Sequence, residues 1–268
     1  MIIIGEKINA TLGPVKPIIL ERDAAALLKL AREQAEAGAN FLDVNVGTGV
    51  GSQAEEVEAM KWAVETIQAE VELPLCLDSA DPAVLEAGLK ANSRQPCMIN
   101  STSGEPEKLA GIVPLAAKYQ TMLVGLTMDE AGIPKTVEDR LRAGEKIVAA
   151  CEKNGVPVKQ LLFDPLVLPV STDITYGLVT LKTIGQLKAA YPEAKTVLGL
   201  SNISYGLPAR SRLNVAFLHM AIAYGLDAAI IDPLDEELMA AATTGEVLVG
   251  RDRHCRRYTR AFRQKLGG

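Results

Sequence analysis

Thr196–Arg210 reads TVLGLSNISYGLPAR. A short β-rich run stops at the polar pair Ser201–Asn202, a loop with Gly206 and Pro208 follows, and a helical pattern begins at Arg210. The same phrase recurs upstream. PLCLDS ends its apolar run at Asp78, CMINS at Asn100 and LLFDP at Asp164. Each run is short enough and β-rich enough to be a buried strand, and each carries one hydrogen-bonding side chain where the strand meets its loop.

Working outward, strands are expected at 2–5, 40–46, 73–79, 97–101, 121–128, 161–164, 196–201 and 228–231. Helices are expected between them at 21–37, 53–70, 82–91, 106–119, 137–154, 176–190, 210–224 and 236–244. Apolar residues fall at helical spacing in these segments, as in Leu27, Leu30, Ala31 and Ala35. Gly38 and Gly155 follow two of them, and Asp81–Pro82 opens a third. Strands that alternate with helices pair in parallel, and eight such units predict closure into a (β/α)8 TIM barrel. The whole chain, 1–268, is expected to be one domain of this kind. The alternative is an open doubly wound sheet. It calls for a phosphate loop after the first strand, and GEKINA is not G-x-G-x-x-G. The glycines of GTGVGS (Gly47–Ser52) lack the Lys and Ser/Thr of a P-loop and read as a rim loop.

Composition narrows the function classes. The chain is 48% hydrophobic and 23% charged, ordinary for a globular protein, and its 4% aromatic content disfavours stacked-base recognition of single strands. Cys76, Cys97, Cys151 and Cys255 form no CxxC pair, and His219 and His254 sit in no zinc motif, so no bound metal is expected. No apolar window reaches about 18 residues, and the IIIG start is too short for a signal peptide, so a cytoplasmic protein away from membranes is expected. The net charge of −5 is uneven. The basic helix or tail over 251–268 carries +6 and the remainder −11. That tail reads as a solvated last helix, since the acidic body opposes nucleic-acid binding.

In a barrel of this kind the strand ends form the catalytic rim. The first strand runs into Glu6 and Asn9, the second ends in Asp43 and Asn45, and Asp78, Asn100, Asp164 and Ser201–Asn202 close the third, fourth, sixth and seventh. Any one of these could be a cap or turn former. Six of eight strands ending this way exceed what capping needs. A rim of carboxylates and amides with little positive charge suits a flat ring bearing N–H donors and acceptors on its edge, such as a reduced pterin. It does not suit a phosphoryl group, which calls for Lys, Arg or a metal. The long loop PLVLPVSTDITYG after Asp164 is expected to cover the pocket or meet a partner.

Seven motifs occur in order: GEKIN (Gly5–Asn9), LDVNVG (Leu42–Gly47), LCLDS (Leu75–Ser79), MINSTS (Met98–Ser103), LTMDEAGIPK (Leu126–Lys135), DPLVLP (Asp164–Pro169) and GLSNISYGLPAR (Gly199–Arg210). The set resembles the pterin-binding methyltransferase family. In particular it is similar to the methyltetrahydrofolate:corrinoid protein methyltransferases, which are related to the folate module of cobalamin-dependent methionine synthase. The likeness spans Met1 to about Thr244. It implies a TIM barrel, commonly a homodimer, that moves a methyl group between N5 of tetrahydrofolate and the cobalt of a corrinoid (cobalamin) carried by a partner protein. By resemblance, Asp78, Asn100 and Asp164 hydrogen-bond the pterin ring and Asn202 lies near N5. Gly199 and Ser201 contact the ligand from the same strand end, and Arg210 is a basic position on the following loop. Glu6, Asn9, Asp43, Asn45 and Tyr205 complete the candidate set; at Tyr205 some relatives carry an amide. Catalysis is assigned to Asn202.

Tetrahydrofolate and 5-methyltetrahydrofolate are thus the implied substrates. The chain has no DxHxxG cobalamin signature, so the corrinoid is expected on another protein, either a corrinoid iron–sulfur protein or the corrinoid protein of an O- or N-demethylase. Two alternatives stay open. One is a non-catalytic pterin-binding or corrinoid-docking barrel. The other is a dihydropteroate synthase-like enzyme, disfavoured because the seventh and eighth strand ends, GLSN and IIDP, lack the basic residues that a pyrophosphate leaving group needs.

Overall fold

The computed structural model describes residues 1–266, with side chains given through Arg263. Eight parallel strands close on themselves: β1 (Ile2–Asn9), β2 (Phe41–Asn45), β3 (Leu75–Asp78), β4 (Met98–Ser103), β5 (Met122–Leu126), β6 (Leu161–Asp164), β7 (Lys195–Gly199) and β8 (Ala228–Ile231). β1 closes the barrel by pairing with β8 from Ile2 opposite Ala228 to Gly5 opposite Ile231. The helices are α1 (Lys16–Leu20), α2 (Ala24–Glu36), α3 (Gln53–Glu70), α4 (Pro82–Ala91), α5 (Pro106–Tyr119), α6 (Val137–Lys153), α7 (Tyr176–Ala190), α8 (Arg210–Tyr224), α9 (Glu236–Leu248) and α10 (Arg256–Leu266). The expected TIM barrel is therefore the observed fold. Among the described residues no helix is long and apolar enough to cross a membrane.

Local chemistry sets the element ends. Ser52 and Glu55 form a reciprocal capping box at α3, and the Asp81 carboxylate accepts the Ala83 N–H at 2.7 Å where Pro82 opens α4. At three places where boundaries depart from the sequence reading, a specific contact accounts for the change. The first long helix starts at Ala24 because Asp23 accepts the Ala26 N–H, while Lys16–Leu20 forms a separate short helix led by Pro17. The seventh strand stops at Gly199, and Leu200–Ser204 winds into a 3-10 turn. Arg210 secures that turn, donating from Nη2 to the Ser201 carbonyl at 2.6 Å and from Nε to Ser204 Oγ at 3.0 Å. β1 runs four residues beyond expectation, with a register shift between Gly5 and Ile8. There Gln34 Oε1 accepts the Lys7 N–H at 3.0 Å, and a Cβ on Gly5 would collide with that same amide oxygen.

The barrel interior is built in layers. One residue from each strand, Ile4, Phe41, Cys76, Met98, Val124, Leu162, Val197 and Ala228, forms an apolar plug. A larger cluster, including Ile8, Leu42, Val44, Leu75, Leu77 and Ile99, packs the outer strand faces against the helices. The basic tail divides. Arg251 donates to the Leu226 carbonyl at 2.6 Å, and Arg257 reaches Glu246 at 3.1 Å, so part of the charge anchors α10 to the barrel. Residues 267–268 and the side chain of Lys265 lie outside the described set.

Candidate active site

Side chains on a strand alternate in direction, so the residue two positions past each plug residue faces the same interior, one layer nearer the strand ends. Counting two from the plug gives Glu6, Asp43, Asp78, Asn100, Leu126, Asp164, Gly199 and Ile230. Six of these eight form the floor of the site, and Glu6 and Asp43 stand beside it in the same layer. Asp78, Asn100, Leu126, Asp164, Gly199 and Ile230 line one open cavity of about 560 Å³, within the usual range for small-molecule sites. Asn202 and Tyr205 from the loop after β7, Leu166–Pro169 from the loop after β6, and Ile133 complete its wall. The long loop after Asp164 thus forms a side of the cavity. Ser171 Oγ donates to the Tyr205 carbonyl at 2.7 Å and joins the two wall loops.

The remaining candidates sit around this floor. Asp43 is buried at 3% exposure and accepts from Asn100 Nδ2 at 3.2 Å; Asn45 Nδ2 donates to Asp78 at 2.9 Å. Each amide of this set therefore carries a carboxylate beside it. Asn9 is placed elsewhere, its Oδ1 accepting the Thr11 N–H at 2.9 Å and the Thr11 hydroxyl at 2.7 Å in a local turn. Ser201 and Arg210 stand outside the cavity lining, joined by the Arg210–Ser201 carbonyl bond.

Burial dominates the electrostatics. It pushes Asp164 up to about 6, opposed by the Leu166 N–H and by Arg140. Glu6 rises to about 7, through burial first and then the nearby Asp232, while Lys7 and Arg210 oppose the shift. Asp43 is driven well above the carboxylate range by burial and by the Asp78 charge; Asp78 rises less, because Asn45 and Asp43 hydrogen-bond it. Lys7 and Arg210 are both committed. Lys7 Nζ pairs with Asp232 at 2.9 Å, and Arg210 braces the 3-10 turn. The floor is consequently rich in acceptors, able to grip a ring edge bearing several N–H groups. Among the described residues no group of three or more His, Cys, Asp or Glu side chains could hold a metal ion.

Sequence reasoning did not find Leu126, Ile230 and Arg140. The first two are the apolar members of the floor, legible by the same count of two along each strand. Arg140 lies on the buried stripe of α6 with Val137, Ala143, Gly144, Ile147 and Cys151, and an arginine on such a stripe was the available signal.

The family model described as pterin binding enzyme matches residues 6–232. The chain belongs to the pterin-binding enzyme family. Across its full length this pterin-binding enzyme is 39% identical to the methylcorrinoid:tetrahydrofolate methyltransferase of Eubacterium limosum, covering 98% of that protein. It is 33% identical over 244 residues to the methionine synthase of Mycobacterium tuberculosis (strain ATCC 25618 / H37Rv), with 86% of this chain matching 20% of that much longer protein. Among solved structures, a dihydropteroate synthase from Yersinia pestis with a pterine-sulfa conjugate superposes with a TM-score of 0.71 over 92% of both chains. One from Coxiella burnetii in complex with pteroic acid gives 0.68, over 92% of this chain and 94% of that one. At 19% and 15% identity these two describe the fold alone.

Proposed function

We propose that this pterin-binding enzyme transfers a methyl group between N5 of tetrahydrofolate and the cobalt of a corrinoid held by a partner protein. The observation that carries the reading is the single cavity floored by Asp78, Asn100 and Asp164 with Asn202 on its wall. The full-length likeness to a methylcorrinoid:tetrahydrofolate methyltransferase supports it. Asp164 and Asp78 accept hydrogen bonds from ring N–H groups, and Asn100, steadied by Asp43, orients the same edge. The cavity volume fits a pterin, and its open mouth leaves N5 accessible to a corrinoid brought by the partner.

A tertiary amine leaves poorly unless N5 carries a proton. When bound by the partner, the corrinoid supplies a nucleophilic cobalt(I). The methyl group would pass to that cobalt, whose electron pair forms the new bond, while the methyl–N5 pair stays on nitrogen and neutralises its positive charge. The Asn202 carbonyl accepts the N5–H hydrogen bond, and that bond is strongest while N5 is charged. It thus favours the protonated, reactive form over the neutral one. Carboxylates beneath the ring add favourable potential for the same charge, and on the same barrel face burial, then Asp232, pushes Glu6 up to about 7. Typical assistance of this kind amounts to about 10²–10⁴-fold. In the reverse direction the same hydrogen bond stabilises the N5–H⁺ that methylation creates until its proton leaves to solvent. A pyrophosphate-releasing reaction finds less support, since Lys7 and Arg210 are occupied as described.

A homodimer fits the exposed apolar side chains of Leu178 on α7 and Leu213, Met220 and Tyr224 on α8. Light scattering at twice the 28.6 kDa chain mass checks it. Four free cysteines, three of them buried, accord with a reducing cytoplasmic setting. The deciding experiment mixes protein, 5-methyltetrahydrofolate and cob(I)alamin anaerobically and follows the cobalt absorption. Methylcobalamin formation is expected. Retained pterin binding with no transfer, either to free cob(I)alamin or to a corrinoid protein, would leave a binding barrel instead.

A further inference from the structure

Arg140 is the largest fully buried side chain of the barrel, yet among the described residues it makes no salt bridge. Its hydrogen bonds run to neutral oxygens: Nε to Pro134 O at 3.2 Å, and Nη1 to Pro165 O at 2.6 Å, Leu166 O at 2.9 Å and Thr180 Oγ1 at 3.2 Å. Nη2 is buried without a partner. A buried cation is costly, and neutral donors could hold carbonyls without that cost. The charge therefore calls for its own explanation, and the neighbouring Asp164 provides it.

Leu166 has a left-handed backbone, φ +64°, unfavourable for a branched side chain. This conformation turns the Leu166 N–H onto Asp164 Oδ1 at 2.7 Å. The Leu166 carbonyl is fixed from the other side by Arg140 and by Thr180 Oγ1 at 2.8 Å. We propose that Arg140 is a positioning residue of the pterin site: it locks Pro165–Leu166 in the turn that aims a backbone N–H at Asp164, and its charge keeps that carboxylate an acceptor. This rests on the pterin reading of the cavity and assigns a role to a residue that does not line it. The flanking strand ends, Leu126 on β5 and Gly199 on β7, bring no charge. Tyr176, at the start of α7, acts on the guanidinium, and Arg140 is the charged group acting on Asp164. Arg140 stays protonated near neutral pH, although burial holds it down to about 10.

The test reads Asp164 without a ligand, by NMR titration of protein carrying ¹³C-labelled aspartate carboxyls, with the Asp164 signal assigned from its loss in D164N. In R140Q the Asp164 midpoint should rise by about one pH unit, since removing an arginine beside a carboxylate typically costs that much or more. An unchanged midpoint in folded R140Q would overturn the proposal. Tetrahydrofolate titrations, run anaerobically, add a cycle that also serves if R140Q does not fold. R140K keeps the charge but cannot reach all the carbonyls, so it should bind at least fivefold more weakly than wild type. That loss should vanish in a D164A background, which removes the acceptor that the turn serves. A loss of equal size in both backgrounds would mark Arg140 as structural only. Wild-type protein that binds no tetrahydrofolate would refute the pterin reading, while the carboxyl titration still decides the role of Arg140.

Discussion

Asp164→Asn should make the ligand-free protein more stable and the pterin complex weaker, and the opposed signs follow from one cause. Asp164 titrates near 6 when folded, against an ordinary 3.8, chiefly because burial penalises its charge. A carboxyl raised in this way binds its proton more tightly in the folded state. Its contribution to stability is intact below about pH 4 and is lost as the pH rises to about 6. A shift of about two units corresponds to roughly 3 kcal/mol, and the partly open position of Asp164 beside the cavity reduces this to about 1–2 kcal/mol. The amide is isosteric and its Oδ1 still accepts the Leu166 N–H, so the turn should survive. D164N should therefore melt about 2–8 °C higher than wild type at pH 8, with the gap closing by pH 4.5. Binding moves the other way. An ionised acceptor is roughly twice as strong as a neutral one, so tetrahydrofolate affinity should fall about tenfold at pH 7–8. Scanning calorimetry at pH 4.5, 6 and 8 and anaerobic titration calorimetry measure both. Equal melting temperatures for the two proteins at pH 8 would refute the burial argument, and an unchanged Kd would remove Asp164 from the pterin contacts.

Other perturbations separate the remaining roles. Asn202 is exposed on the cavity wall, so Asn202→Ala should shift the melting temperature little while cutting methyl transfer by about 10²-fold. Turnover near wild type would dismiss its part in stabilising N5–H. Prolonged chelation followed by gel filtration should leave methyl transfer intact; activity lost and then restored by added zinc would contradict a metal-independent chemistry.

The order of elements and the floor of the site were legible in the sequence because a buried parallel strand repeats every two residues. Asp78, Asn100 and Asp164 each interrupt an apolar run at the point where strand meets loop, and no packing detail is needed to see that. The ends of α3, α4 and α5 were equally plain, since capping and proline act within a few residues. Tertiary structure decided what depends on contacts distant in the chain. The extension of β1 past Gly5 requires Gln34 of α2, and the early end of β7 requires the brace from Arg210. Arg140 meets Pro165 and Leu166 only because α6 packs beside the β6 end, 25 and 26 residues on. Local propensity has no access to such pairs. The sequence by itself determined which groups a strand end would offer to a ligand. Packing alone decided which of them share one cavity, and which are spent holding its walls.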